Sequence, residues 1–101
     1  MPNKAVLYPC QNTICIKLGN KTYTLPIAVA VYLIGFYQEG LYKEPNRLGI
    51  PVTINGVYKI TPTRYGYFMC FDDHTFFISY KQIAELINMY KRLGLPLPNF
   101  E

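Results

Sequence analysis

The sequence predicts an α+β domain, an antiparallel sheet built from hairpins with two helices packed on it. Three observations carry that reading. Two-residue turn signals, Gly19-Asn20 and Asn55-Gly56, each sit between short runs of strand-forming residues. Between these turns lies Leu25 to Tyr37, thirteen residues without a charged side chain. Near the end, a capped stretch of helical periodicity begins at Ser79. A chain of 101 residues has room for one core, so residues 1–101 form a single domain.

Taken in order, an extended piece around Ala5–Tyr8 precedes a hairpin turning at Gly19-Asn20, with glycine first as a type II′ turn requires. Closing on Leu18 and Lys21 sets Ile16 opposite Tyr23 and Ile14 opposite Leu25, while Lys17 meets Thr22 and Cys15 meets Thr24. One face is apolar and the other carries the lysines.

The uncharged run follows as a helix from Pro26 to about Glu39, with Thr24 as N-cap and Gly40 past the end. Val29, Val31 and Ile34 favour a strand, but the run exceeds the usual 4–8 strand residues or so and is punctuated like a helix. It is too short for a membrane span, which needs roughly 20 apolar residues. Apolar on every side, it requires burial on more than one face. Either this chain's own sheet and second helix cover it, or a second copy does, through Val31, Ile34, Gly35 and Tyr37. Glycine inside a helix costs about 1 kcal/mol against alanine, which a close backbone approach at Gly35 would explain. A homodimer is the expectation.

The segment 41–51, with two prolines, reads as a connector. Val52–Ile54 and Val57–Ile60 then form a hairpin on a type I′ Asn55-Gly56 turn, with Val52 against Lys59. Thr61–Arg64 turns the chain into Tyr65–Phe71, and Asp72–Thr75 turns it into Phe76–Ser79. That third hairpin pairs Phe71 with Phe76, Met69 with Ile78 and Cys70 with Phe77, so both of its faces are apolar and covered. Ser79-Tyr80-Lys81-Gln82 is a capping box, and Ile83, Leu86, Ile87, Tyr90 and Leu93 make the apolar stripe of the last helix. Gly94 ends that helix, and the tail 95–101 is extended.

The net charge is +4 and the pI near 9.0, with charged residues only 16% of the chain. The basic residues are scattered, so a polyanionic partner is permitted rather than demanded. Nucleic-acid binding would use Lys17, Lys21, Arg64, Lys91 and Arg92, provided that they converge on one side. Lys91 and Arg92 also complement a helix dipole. Phosphate-binding glycine loops are absent and no cofactor is expected. Cys10, Cys15 and Cys70 have no zinc-ligand spacing; they read as reduced thiols, with a Cys10–Cys15 bridge geometrically open and relevant in a hyperthermophile. Asp72-Asp73-His74 is the one local cluster of catalytic residue types, either a tight turn or the site of a metal-dependent hydrolase. The N-terminal residues lack the apolar segment of a signal peptide, which predicts an intracellular product.

The Tyr- and Ile-rich texture, as in Val31-Tyr32-Leu33-Ile34-Gly35-Phe36-Tyr37 and Ile87-Asn88-Met89-Tyr90-Lys91, resembles the small orphan proteins of crenarchaeal viruses. That resemblance implies a small dimer in a host cytoplasm, in some cases one that binds DNA, and it assigns no residue a role. The expectation is a non-enzymatic protein that acts by binding a macromolecule.

Overall fold

The computed structural model describes residues 3–97. Strands β1 (Asn3–Cys10), β2 (Thr13–Leu18) and β3 (Lys21–Thr24) lead into helix α1 (Ile27–Gln38). Two single 3₁₀ turns, Leu41–Lys43 and Pro45–Arg47, fill the connector. Strands β4 (Val52–Ile54), β5 (Tyr58–Pro62), β6 (Gly66–Phe71) and β7 (His74–Ser79) then run into helix α2 (Tyr80–Arg92). The class is α+β. Leu95–Leu97 follow α2, and the rest of the expected tail lies outside the described residues.

All seven strands join one sheet in the order β3-β2-β1-β7-β6-β5-β4. It is mixed rather than wholly antiparallel, because β1 and β7 run parallel through Asn3↔Phe76 and Lys4↔Phe77. The first and last strands meet at the centre, and nearly the whole chain forms the crossover that a parallel pair needs. Past Lys4, β1 parts from β7 and runs beside α2. Gln82 Nε2 donates to the Ala5 carbonyl at 3.0 Å, taking the place of a strand neighbour. Backbone alternation turns Leu7 and Pro9 toward the same edge, where proline has no N–H to leave unpaired.

The sheet is strongly curled. Tyr23 on edge strand β3 meets Phe71 at the end of β6 with ring centroids 4.9 Å apart. Three strands intervene, so a flat sheet would separate them by at least about 19 Å. Strand alternation turns Ala5, Leu7, Ile14, Ile16, Leu18, Tyr58, Ile60, Tyr67, Met69, Phe76 and Ile78 to the concave side, and all are buried. Both helices pack on that side. The Tyr67 hydroxyl donates to the Leu33 carbonyl of α1 at 2.7 Å, and Ile83, Leu86, Ile87 and Tyr90 of α2 are buried.

Helix α1 buries Val29, Ala30, Leu33, Ile34, Gly35 and Phe36 within one chain. Its N-cap is Pro26 with no side-chain bond, not Thr24. The reason is that the Leu25 N–H still donates to the Ile14 carbonyl, which holds the chain extended until Pro26. Gly40, at φ 70°, ends the helix in the left-handed region as expected. In α2 both bonds of the capping box form, Gln82 N–H to Ser79 Oγ at 3.2 Å and Ser79 N–H to Gln82 Oε1 at 3.0 Å.

The first hairpin keeps the expected register, with Ile16 opposite Tyr23. The other two do not. In β4–β5 the pairs are Val52↔Ile60, Thr53↔Lys59 and Ile54↔Tyr58, one residue away from Val52 against Lys59. Val57 is left as an extra residue at the turn, and the shift carries Tyr58 and Ile60 into the core while Lys59 faces water. In β6–β7 the turn is only Asp72-Asp73, both at positive φ (48° and 65°) as a type I′ turn needs. The pairs therefore become Phe71↔His74, Cys70↔Thr75, Met69↔Phe76, Phe68↔Phe77 and Tyr67↔Ile78. A two-residue shift preserves faces but changes partners, and the outer face of this hairpin is open, not covered.

Gly66 leaves no room for a side chain. A Cβ there would strike the Ile78 carbonyl oxygen and lie 2.7 Å from the tip of the Phe77 ring. Gly66→Ala is expected to cost about 1–3 kcal/mol through this overpacking, lowering the melting temperature by about 4–8 °C per kcal/mol in a thermal unfolding scan.

Candidate functional site

Alternation that sends one set of side chains into the concave core sends the other to the convex face, which neither helix covers. Register fixes what stands there. One row across the sheet reads Lys4, Phe77, Phe68, Thr61 on β1, β7, β6 and β5. Beside it runs Thr75, Cys70, Lys59, Thr53 on β7, β6, β5 and β4. The curl turns a third row away from these two, Val6, Lys17, Thr22 on β1, β2 and β3. Tyr8 lies on the same face, and its hydroxyl reaches Thr22 Oγ1 at 3.5 Å, so its ring crosses β2.

The centre of the face is aromatic. Phe68 is 49% exposed, and its ring meets half-buried Phe77 edge-on at 5.0 Å between centroids. Phe77 lies over Gly66, which holds its ring close to the sheet. Burying a phenylalanine fully is worth about 1.5–3 kcal/mol, and Phe68 forgoes much of that. The rim is cationic: Lys4 and Lys59 flank the pair and Lys17 stands around the curl, all exposed. Among the described residues no carboxylate belongs to this face. Glu39 ends α1, Glu44 lies in the connector, Asp72 and Asp73 make the β6–β7 turn, and Glu85 is on α2, where it lines a cavity together with Lys4 and Val6 at the edge of the face.

The basic residues expected to act together do not converge. Lys17 is on the convex face. Lys21 opens β3 opposite Leu18, so its register places it with the concave set. Arg64 is at the β5–β6 tip, and Lys91 and Arg92 close α2 in the helical layer. Of the residues expected at a dimer contact, Ile34 and Gly35 are buried by their own chain, while Val31 and Tyr37 are half-exposed. The convex aromatic pair, Lys4 and Lys59 were missed as a site, although the alternation of Phe68 and Phe77 against Met69, Phe76 and Ile78 placed them on the opposite face.

Asp72 and Asp73 form a turn whose first carboxylate is engaged. The Tyr23 hydroxyl donates to Asp72 Oδ2 at 2.7 Å, and the Tyr23 ring lies 6.1 Å from that of His74. Among the described residues no group of three metal-ligating side chains gathers. Cys10, Cys15 and Cys70 are free, and burial, with Cys10 close by, pushes the Cys15 thiol up. No helix among the described residues is long and apolar enough to cross a membrane. Comparison of the chain with family models, with curated proteins and with solved structures gives no match.

The hydrogen bond to Asp72, followed by partial burial, raises Tyr23 from the ordinary tyrosine value near 10 to about 12. The neutral phenol is thus favoured in the folded state, and its contribution is whole below about pH 10 and lost as pH rises toward about 12. Urea unfolding across that window should show stability falling with pH in the native chain and falling less in Tyr23→Phe.

Proposed function

We propose that the chain is a non-enzymatic binding module that takes single-stranded nucleic acid on the convex face of its sheet. The observation that carries this reading is the row Lys4, Phe77, Phe68, Thr61, an aromatic pair of exposed Phe68 and half-buried Phe77 with a cation at its edge and, among the described residues, no carboxylate on its strands. Unpaired bases stack on such rings whatever their sequence, and each stacked base is worth about 1–3 kcal/mol. Lysines at the rim supply phosphate contacts, which position the strand without reading it. Thr61 in the same row, and Thr53 and Thr75 in the row beside it, add hydroxyls that donate to phosphate or base edges.

Two competing occupants fit less well. Duplex DNA keeps its bases stacked inside, so it would meet the lysines and leave the phenylalanines without a partner. A second copy of the chain seated face to face would set Lys4, Lys17 and Lys59 against a face that is also only positive, where like charges repel. A polyanion with free bases satisfies both halves of the surface.

Titration of labelled oligo-dT and oligo-U of about 15 nucleotides across a salt series tests this, with the matching duplex as comparison. The single strands should bind more tightly than the duplex, with log affinity falling linearly in log salt at about 0.7 per phosphate contacted. Phe68→Ala should weaken binding about tenfold with the fold retained, and Lys4→Ala or Lys59→Ala should each reduce the slope by about 0.7. Equal binding by wild type and Phe68→Ala, or no binding at low salt, overturns the reading. In the latter case a dimer in sedimentation whose dissociation follows Phe68→Ala would assign the face to a second copy.

A further inference from the structure

The convex face has two unlike ends. Toward one end of β6 the chain turns through Asp72-Asp73, which places two carboxylates there, both exposed residues. Toward the other end it turns through Thr63, Arg64 and Tyr65, whose only charge is a cation. This second tip is fixed from within. Thr63 Oγ1 accepts from the Tyr65 N–H at 3.1 Å and the Gly66 N–H at 3.2 Å, and donates to the Gly66 carbonyl at 2.9 Å. The Thr63 N–H donates to that same carbonyl at 2.7 Å.

The tip is also fixed from α2. The Tyr80 N–H donates to the Tyr65 carbonyl at 3.2 Å, and the Tyr80 hydroxyl donates to the Thr63 carbonyl at 2.5 Å. Yet the Tyr65 side chain is 75% exposed, and among the described residues no ring or hydroxyl partner holds it. A tyrosine that the fold leaves unused, on backbone already ordered by its neighbours, offers contact area at little entropic cost. Along the chain it is one residue from Gly66, over which Phe77 lies, and three from Phe68.

Resting on the reading of the convex face given above, we infer that the bound single strand leaves the Phe68–Phe77 pair over the β5–β6 tip, where Tyr65 stacks a further base and Arg64 holds the adjoining phosphate. The opposite exit would carry phosphates past Asp72 and Asp73, where like charges repel. The exit over Arg64 carries them to a guanidinium, whose fork matches phosphate oxygens bidentately. The site therefore extends along β6 toward its start.

Titration of the same oligo-dT and oligo-U with tip variants tests the extension separately from the platform. Tyr65→Ala should weaken both about fivefold, Tyr65→Phe should bind as wild type does, and Arg64→Ala should lower the salt slope by about 0.7. A pattern that holds for both oligomers assigns the tip to base and phosphate, and one confined to oligo-U would assign it to the ribose hydroxyl and overturn base stacking by Tyr65. If Tyr65→Ala and Arg64→Ala bind as wild type does while Phe68→Ala is weakened, the extension is wrong and the platform stands. If wild type binds neither oligomer, both fall together.

Discussion

Two helices of twelve and thirteen residues must cover the apolar side of a seven-stranded sheet, and they are small for the task. Side by side they span about 20 Å, whereas seven flat strands span about 29 Å. The sheet answers by curling until β3 meets the β6–β7 turn, so that Tyr23 closes against Phe71 and Asp72. That closure buries Val29, Ala30, Leu33, Ile34, Gly35 and Phe36 of α1 within the chain, while Ile27 at its start stays 62% exposed. It also leaves nothing to cover the convex face. Exposed Phe68 and half-buried Phe77 in the middle of that face are therefore a consequence of where both helices had to go.

The same constraint gives the convex face its rigidity. Its side chains stand on strands whose opposite faces are packed in the core, with Phe77 wedged onto Gly66 and the β5–β6 tip tied to Tyr80. A ligand surface built on strands loses little conformational entropy when it is occupied. The polarity across the sheet is chemical as well as geometric: apolar residues inside, and lysine, threonine and phenylalanine outside, with the carboxylates left to turns and the helical layer.

What the sequence made legible depended on how far each decision reached. The β2–β3 register was readable because Gly19-Asn20 admits one tight turn and the alternation on both sides agrees with it. The β4–β5 register was not, since the Asn55-Gly56 signal says nothing about Val57, and burial of Tyr58 and Ile60 in a core assembled from distant strands decides the matter. In β6–β7, four polar residues read as a turn where two aspartates at positive φ suffice. The parallel contact of Asn3 and Lys4 with Phe76 and Phe77 joins opposite ends of the chain and has no local signature. The convex site was half legible: alternation already separated Phe68 and Phe77 from the core set. It is obscured because both faces of that hairpin are apolar in sequence and so predict cover on both sides, a task beyond two short helices.

The most direct test is nuclear magnetic resonance of phenylalanine-labelled protein during titration with single-stranded oligo-dT. Ring signals of Phe68 and Phe77 should shift as bases stack on them, while those of buried Phe36 and Phe76 stay in place. Shifts that spare Phe68 and Phe77 and fall instead on backbone signals at Lys91 and Arg92 would contradict the account and move the nucleic-acid surface to the helical layer.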